Sequence, residues 1–462
     1  MHTVGLYEAV LLDLSIVMSC AILLWKHGRI TALHPGAIYL VFHVLFVTVR
    51  ACSVLAGSNT LFTAWRPGIV PISEAEVAWA VNLADLALIS MTAAWIKAAG
   101  DHRRRHTSTL GVAPRPPRSA MLSQKVIQYV GAVAFPIGLA ALASFAYLPS
   151  AGDNASTVDL GSWNYSSWTV ITQSWSGLVL LSLIYYYGFR KVFVIPLYVY
   201  LLIMAAQGSD RFRVIVPLIY LFLVWLFRRG AKWPPLWMAG AGLVIALSSF
   251  PLKSIGWMIQ NGGSFSDVIE VATNSVTDVI NGRSADQLIL DEFACTVSLV
   301  DESHRYYYGT LYYPLFTLPI PRQWWPDKPA INTYQYELST PSRPMATSGM
   351  VPTLQGESYA NLGIVGIVII SFVAAYWLGR FYFSAIHRDY LSVYRFMYVM
   401  IACNLIQVYR DGLISLVIFT VVNMMPLVAI AVLSYVSFRR RRTRYLLQLQ
   451  VAPHPARTIS RG

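Results

Sequence analysis

The stretch Leu362-Gly-Ile-Val-Gly-Ile-Val-Ile-Ile-Ser-Phe-Val-Ala-Ala-Tyr-Trp-Leu-Gly-Arg-Phe-Tyr-Phe383 carries one charge, Arg380, in 22 residues. About 20 apolar residues in α-helix span the hydrocarbon core of a bilayer. A surface helix of a soluble protein shows a polar stripe, and this stretch has none. Similar runs recur at 7–25, 33–55, 76–96, 126–148, 168–187, 192–207, 212–227, 235–252, 395–410 and 413–436. The whole chain is 56% hydrophobic and 12% charged, about half the charge of an ordinary soluble domain. The pattern predicts an all-α polytopic membrane protein of about eleven transmembrane helices. One large outer loop lies between the eighth and ninth.

Topology explains the net charge of +13. If the loop holding Lys26 and Arg29 is cytoplasmic, the inner segments hold 24 of the 35 basic residues and two of the 22 acids, Asp101 and Asp389. The inner side is then +22 and the remainder −9. This asymmetry is the positive-inside rule, so the basic balance reports orientation and does not imply a nucleic-acid partner. The amino terminus is expected outside, and the carboxyl terminus, with Arg439 to Arg442, inside. Residues 7–25 lack the positive flank and small-residue cleavage site of a signal peptide. The divisions read as 1–252 for the first eight spans, 253–358 for the outer loop, 359–437 for the last three spans and 438–462 for a basic cytoplasmic tail.

The Arg- and Pro-rich inner segment 97–125 reads as a flexible loop. In the outer loop, Ser264-Phe-Ser-Asp267 forms a capping box before Phe265, Val268, Ile269, Ala272, Val276 and Val279 at helical spacing, and Asn281-Gly282 ends that helix. Ser284 and Gln287 cap a second helix with Phe293, Cys295 and Leu299 as apolar positions. Both helices are amphipathic, as expected of helices lying on a membrane surface. Five prolines between 314 and 329 predict extended, rigid chain over 306–336. Its crowded tyrosines and tryptophans, among them Tyr312, Trp324 and Trp325, suit either an interfacial aromatic belt or a sugar-binding wall.

Fourteen residues separate Arg213 from Arg228, and Arg395 from Arg410. Helices of that length rise about 21 Å, short of a hydrocarbon core of about 30 Å. Either the arginines snorkel and the bilayer thins, or the helices stop below the outer surface and Arg211, Arg213 and Arg410 line a recessed, wet cavity. Guanidinium groups bind phosphate in bidentate fashion, so such a cavity suits a lipid diphosphate. Arg50 and Asp85 fall inside spans, where an isolated charge is costly, and are expected to pair with each other. Asp291-Glu292 and Asp301-Glu302 read as solvated faces. The sequence shows no HExxH, no CxxC and no clustered histidines, so no metal is expected, and no phosphate-binding or dinucleotide loop.

Ile320-Pro-Arg-Gln-Trp-Trp-Pro-Asp-Lys-Pro329, followed by Gly356-Glu-Ser-Tyr-Ala-Asn-Leu-Gly363 at the entry to a span, resembles the O-antigen and oligosaccharide repeat-unit polymerases (the Wzy type). The two motifs cover about twenty residues, and the span layout with one late outer loop is similar too. The resemblance implies a GT-C-like fold in the bacterial cytoplasmic (inner) membrane. It also implies a metal-independent reaction with no cofactor, in which a glycan moves from undecaprenyl diphosphate to the terminal sugar of another lipid-linked repeat. A chain-length regulator is a possible partner beside membrane lipid and the undecaprenyl-diphosphate-linked oligosaccharide. Arg322 and Glu357 are the expected catalytic residues, Arg322 facing departing diphosphate and Glu357 as general base, unless Glu357 only favours a helix start. Arg211, Arg213, Arg410, Lys328, Arg343, His304, Trp324 and Tyr359 are expected at the substrate. Family members carry an arginine in a Gly-Ser-Arg context. Gly208-Ser-Asp-Arg-Phe-Arg213 departs from it by one residue, so Arg211 and Arg213 both qualify.

Two other functions compete. An O-antigen ligase would pass the glycan to lipid A core. A flippase or exporter of lipid-linked glycans should show repeated halves and charges through a central path, whereas here the ionisable residues are expected at the outer edge.

Overall fold

The structure, a computed structural model, describes residues 5–28, 30–57, 72–107, 120–145, 171–206, 212–238, 264–280, 289–317, 334–338 and 353–451, with isolated residues between 240 and 327. Among them there are helices and no strand. Six helices are long and apolar enough to cross a membrane: Leu6–Gly28 (α1), Pro35–Leu55 (α2), Glu74–Arg105, Gln124–Ser144, Leu354–Ile386 and Leu405–Asn423. Trp175–Tyr187, Lys191–Ala205 and Val393–Cys403 are apolar but shorter. The chain is therefore an all-α protein of membrane-spanning character. Most of the expected span 235–252 lies outside the described residues.

The remaining labels follow the chain: α3 Glu74–Thr107, α4 Gln124–Phe145, α5 Trp175–Tyr187, α6 Lys191–Ala206, α7 Phe212–Arg229, α8 Phe265–Ile280, α9 Ile289–Ser303, α10 Leu354–Ile386, α11 Val393–Cys403, α12 Leu405–Val417 and α13 Met425–Val451. Helices α3 and α10 pack along each other and form the centre. One lobe of the core gathers α1, α2, α3, α9 and the start of α10. A second gathers α4 to α7 with α11, α13 and the far end of α10. Helices α3 and α10 both belong to the two lobes.

Several expectations are corrected. The segment 97–107 is helix, since Ala, Lys and Arg propagate the helix and basic side chains suit its C-terminal end. Arg103 anchors it by donating to the His27 carbonyl at 3.0 Å. The expected basic tail likewise starts inside α13, which runs on through Arg439 to Arg442. Tyr313–Thr317 is a short helix despite Pro314, because proline is tolerated in a first turn.

The capping box of α8 is present: Ser264 N–H donates to the Asp267 carboxylate at 2.8 Å and Asp267 N–H to Ser264 Oγ at 3.3 Å. Helix α9, in contrast, does not lie on a surface. All its residues from Phe293 to Val300 are buried, and so is Asp291. The cap expected from Ser284 and Gln287 lies outside the described residues.

The bridge expected between Arg50 and Asp85 is also overturned. Arg50 grips Asp291 with Nε at 3.1 Å and Nη2 at 2.7 Å, both side chains fully buried. Adjacent helical residues diverge, so Asp291 turns inward while Glu292 is only partly buried. This fork locks α9 to α2. Asp85 faces His43 instead.

Candidate functional site

The site is built where α10 begins. Thr353 caps the helix, its Oγ1 accepting the Gly356 N–H at 2.9 Å. Its own N–H donates to the Arg410 carbonyl at 3.0 Å. Helix α10 then breaks one residue inside the expected span, at Leu362 and Gly363, where Gly363 has φ +61°. A break frees carbonyls, and buried carbonyls need donors. The Ala360 and Asn361 carbonyls accept the Tyr307 and Tyr308 amides at 3.0 and 2.9 Å.

The motif Gly356-Glu-Ser-Tyr-Ala-Asn-Leu-Gly363 thus works as a fastening. Asn361 joins Glu357 O at 2.8 Å and the Gly309 N–H at 2.8 Å. Tyr359 donates to Asp301 Oδ1 at 2.6 Å, which ties α10 to α9. Glu357 reaches across to α12.

Helix α12 is broken too. Gly412 has φ +85° and ψ −176°, a backbone region that side-chain-bearing residues essentially do not enter. The break exposes the amides that open the next helical turn. Leu413 N–H donates to Glu357 Oε2 at 2.8 Å, and the Ile414 amide also faces the carboxylate. An anion is favoured at such an N-terminus. The fit is close: a Cβ on Gly412 would sit 2.1 Å from Glu357 Cδ. Glu357 is 0% exposed. Tyr312 is on the same side, its phenol pushed well up by burial and then by the nearby Glu357 charge, so it remains a hydroxyl donor.

The residues just before the break are accessible. Arg410 and Asp411 expose 25% and 19% of their side chains, with Nε to Oδ1 at 3.8 Å. The Arg410 guanidinium lies 4.8 Å from the centre of the Phe212 ring, in the first turn of α7. The next residue, Arg213, donates to Gln173 Oε1 at 2.7 Å. The structure therefore brings Glu357, Arg410 and Phe212 at the start of α7 to one place, while the Arg213 side chain turns to Gln173.

Other expected residues go elsewhere. Tyr359 is buried and committed to Asp301. His304 is exposed with φ +51°, and Trp324 is 81% exposed. Arg211, Arg322, Lys328 and Arg343 lie outside the described residues. The expected helix 395–410 is not continuous, because α11 ends at Cys403 and α12 starts at Leu405. The length argument for a short helix consequently fails for Arg410, and α7 runs unbroken from Phe212 to Arg229. Asp411 and Gly412 were missed, although the pair Asp-Gly is a turn signal. Also missed were Asp13 and His43, which meet Asp85 in the interior of α1 to α3. Their burial removes outer-edge crowding of charge as an argument against transport. Comparison with protein-family models, with curated proteins and with solved structures gives no match.

Proposed function

We propose that the chain is a membrane glycosyltransferase that polymerises lipid-linked oligosaccharide repeats, with the α12 break as its diphosphate-handling centre. The observation that carries the reading is the partly exposed Arg410 beside a helix break held by the Glu357 carboxyl, packed on Phe212 at the start of α7. The sequence motifs around Arg322 and Glu357 add the family resemblance.

In this reading the terminal sugar hydroxyl of one lipid-linked repeat attacks the anomeric carbon of the glycan on another. The bond from that carbon to the diphosphate oxygen breaks. The hydroxyl proton passes to a carboxylate, and undecaprenyl diphosphate departs carrying the electron pair. Fixed guanidiniums stabilise the charge that develops on the leaving group. Arg410 and Arg213 serve there, with Arg322 supplied by the outer loop.

The carboxylate role is divided. Glu357, fully enclosed and held by backbone amides, is a positioning residue that sets the break. Asp411, adjacent and partly exposed, takes the place of Glu357 as the general base, since a base must reach its substrate. Exposed Tyr308, Tyr313, Phe316 and Trp324 present aromatic surface for sugar faces.

A strain lacking the gene tests the assignment. Polymerase function predicts lipopolysaccharide capped with a single repeat. Uncapped core would indicate a ligase, and accumulation of repeats on the cytoplasmic face a flippase. Either would overturn the proposal.

A further inference from the structure

Three ionisable residues from three different spans converge in the interior of the α1, α2 and α3 bundle. His43 Nε2 lies 2.9 Å from Asp13 Oδ1 and 3.4 Å from Asp85 Oδ1. One ligating atom from each residue lies within 4.8 Å of the others. Asp13 and His43 have side chains 0% exposed and Asp85 2%. The cluster takes no part in the α12 centre, and no sequence motif marks it.

Its hydrogen bonding is incomplete. His43 Nδ1 and both Asp85 carboxylate oxygens are buried with no hydrogen bond of good geometry, while Asp13 is held by His43 and bordered by the Thr48 hydroxyl. Buried carboxylates are normally paired or bound to a cation. The nearby arginine of α2, Arg50, is turned to Asp291. On binding a metal the imidazole is neutral and both carboxylates ionised, a charge of −2 that one divalent cation cancels, and one imidazole with carboxylate and hydroxyl oxygens is a donor set suited to zinc and its first-row neighbours. The observed donor separations also match the edge of a coordination shell with bonds of about 2.0–2.2 Å.

A cavity of about 20 Å³, enough for one water, is lined by His43, Thr353 and Gln355 among others but by neither Asp13 nor Asp85.

We propose that Asp13, His43 and Asp85 form a binding site for a divalent transition-metal cation, Zn²⁺ being the probe, which ties the first three spans together. The site is structural and independent of the proposed polymerase chemistry. To test it, full-length protein purified in detergent is stripped with a chelator, loaded with Zn²⁺ alone, desalted and assayed for bound metal. The expected result is about one zinc per chain, lost in Asp85→Asn and His43→Gln and retained in Asp101→Asn. Wild-type protein that retains no metal overturns the proposal, as does equal retention by the Asp85 and His43 variants. If those variants do not fold, the wild-type unfolding midpoint decides alone: it should rise with Zn²⁺ concentration, and an unchanged midpoint overturns the site.

Discussion

Replacing Gly412 by alanine tests the clasp at the α12 break most sharply. The backbone there, φ +85° and ψ −176°, is a conformation that alanine adopts at a cost of about 1–3 kcal/mol. The new Cβ would fall 2.1 Å from Glu357 Cδ and from Oε1, so the carboxylate must leave. Leaving removes the Leu413 hydrogen bond and strands a buried donor, worth about 1–3 kcal/mol. The two losses together come to roughly 2–6 kcal/mol, a large share of a typical stability of about 5–15 kcal/mol.

Glu357→Ala should lose only the second of these terms. The double variant should then cost no more than Gly412→Ala alone, since the bond can be lost only once. Denaturant titration of the four proteins in mixed micelles, followed by tryptophan fluorescence, measures that coupling. Additive costs would refute the clasp, and so would a Gly412→Ala protein as stable as wild type.

The remaining predictions concern other contacts. Arg50→Ala or Asp291→Asn alone should cost about 3–5 kcal/mol in the same titration, whereas the apolar pair Arg50→Met with Asp291→Leu should recover most of the loss. Arg410→Ala should slow glycan elongation by about 10²–10³-fold with an unchanged unfolding midpoint, and lysine should restore it only in part. Asp411→Asn should slow elongation by about 10²–10⁴-fold if Asp411 is the base, and a normal rate would reassign that role. Arg322→Ala should abolish chain extension while the protein still inserts. Between Arg211→Ala and Arg213→Ala, the more damaging marks the arginine of the Gly-Ser-Asp-Arg-Phe-Arg segment, and polymer of wild-type length from both would remove that segment from the site.

Hydropathy located several of the spanning helices. The expected spans 7–25, 33–55 and 76–96 correspond to Leu6–Gly28, Pro35–Leu55 and Glu74–Arg105. It failed where apolar chain changes direction. Asn404 divides the expected span 395–410, because hydropathy records solvent preference and is blind to backbone angle, whereas the break at Gly412 falls at the expected boundary between 410 and 413. Gly363 was legible as a motif residue but not as a break. Asp291 was misjudged because a local charge pair says nothing of a distant Arg50. The trio of Asp13, His43 and Asp85 was within reach, since ionisable residues inside spans mark functional or paired positions. Their meeting was not, because it depends on how three helices rotate against one another. For the α12 break, sequence pointed to Arg410, Arg213 and Glu357, and the structure places Glu357 fully buried against the α12 amides.

The most direct measurement is elongation in vitro, with purified protein in nanodiscs and a lipid-linked repeat as both donor and acceptor. A ladder of lengthening glycans released with undecaprenyl diphosphate, present in wild type and absent in Arg410→Ala of equal stability, is the predicted outcome. Folded wild-type protein that makes no ladder, or an Arg410→Ala protein that makes the same one, would contradict the claim that guanidiniums at the α12 break handle the leaving diphosphate.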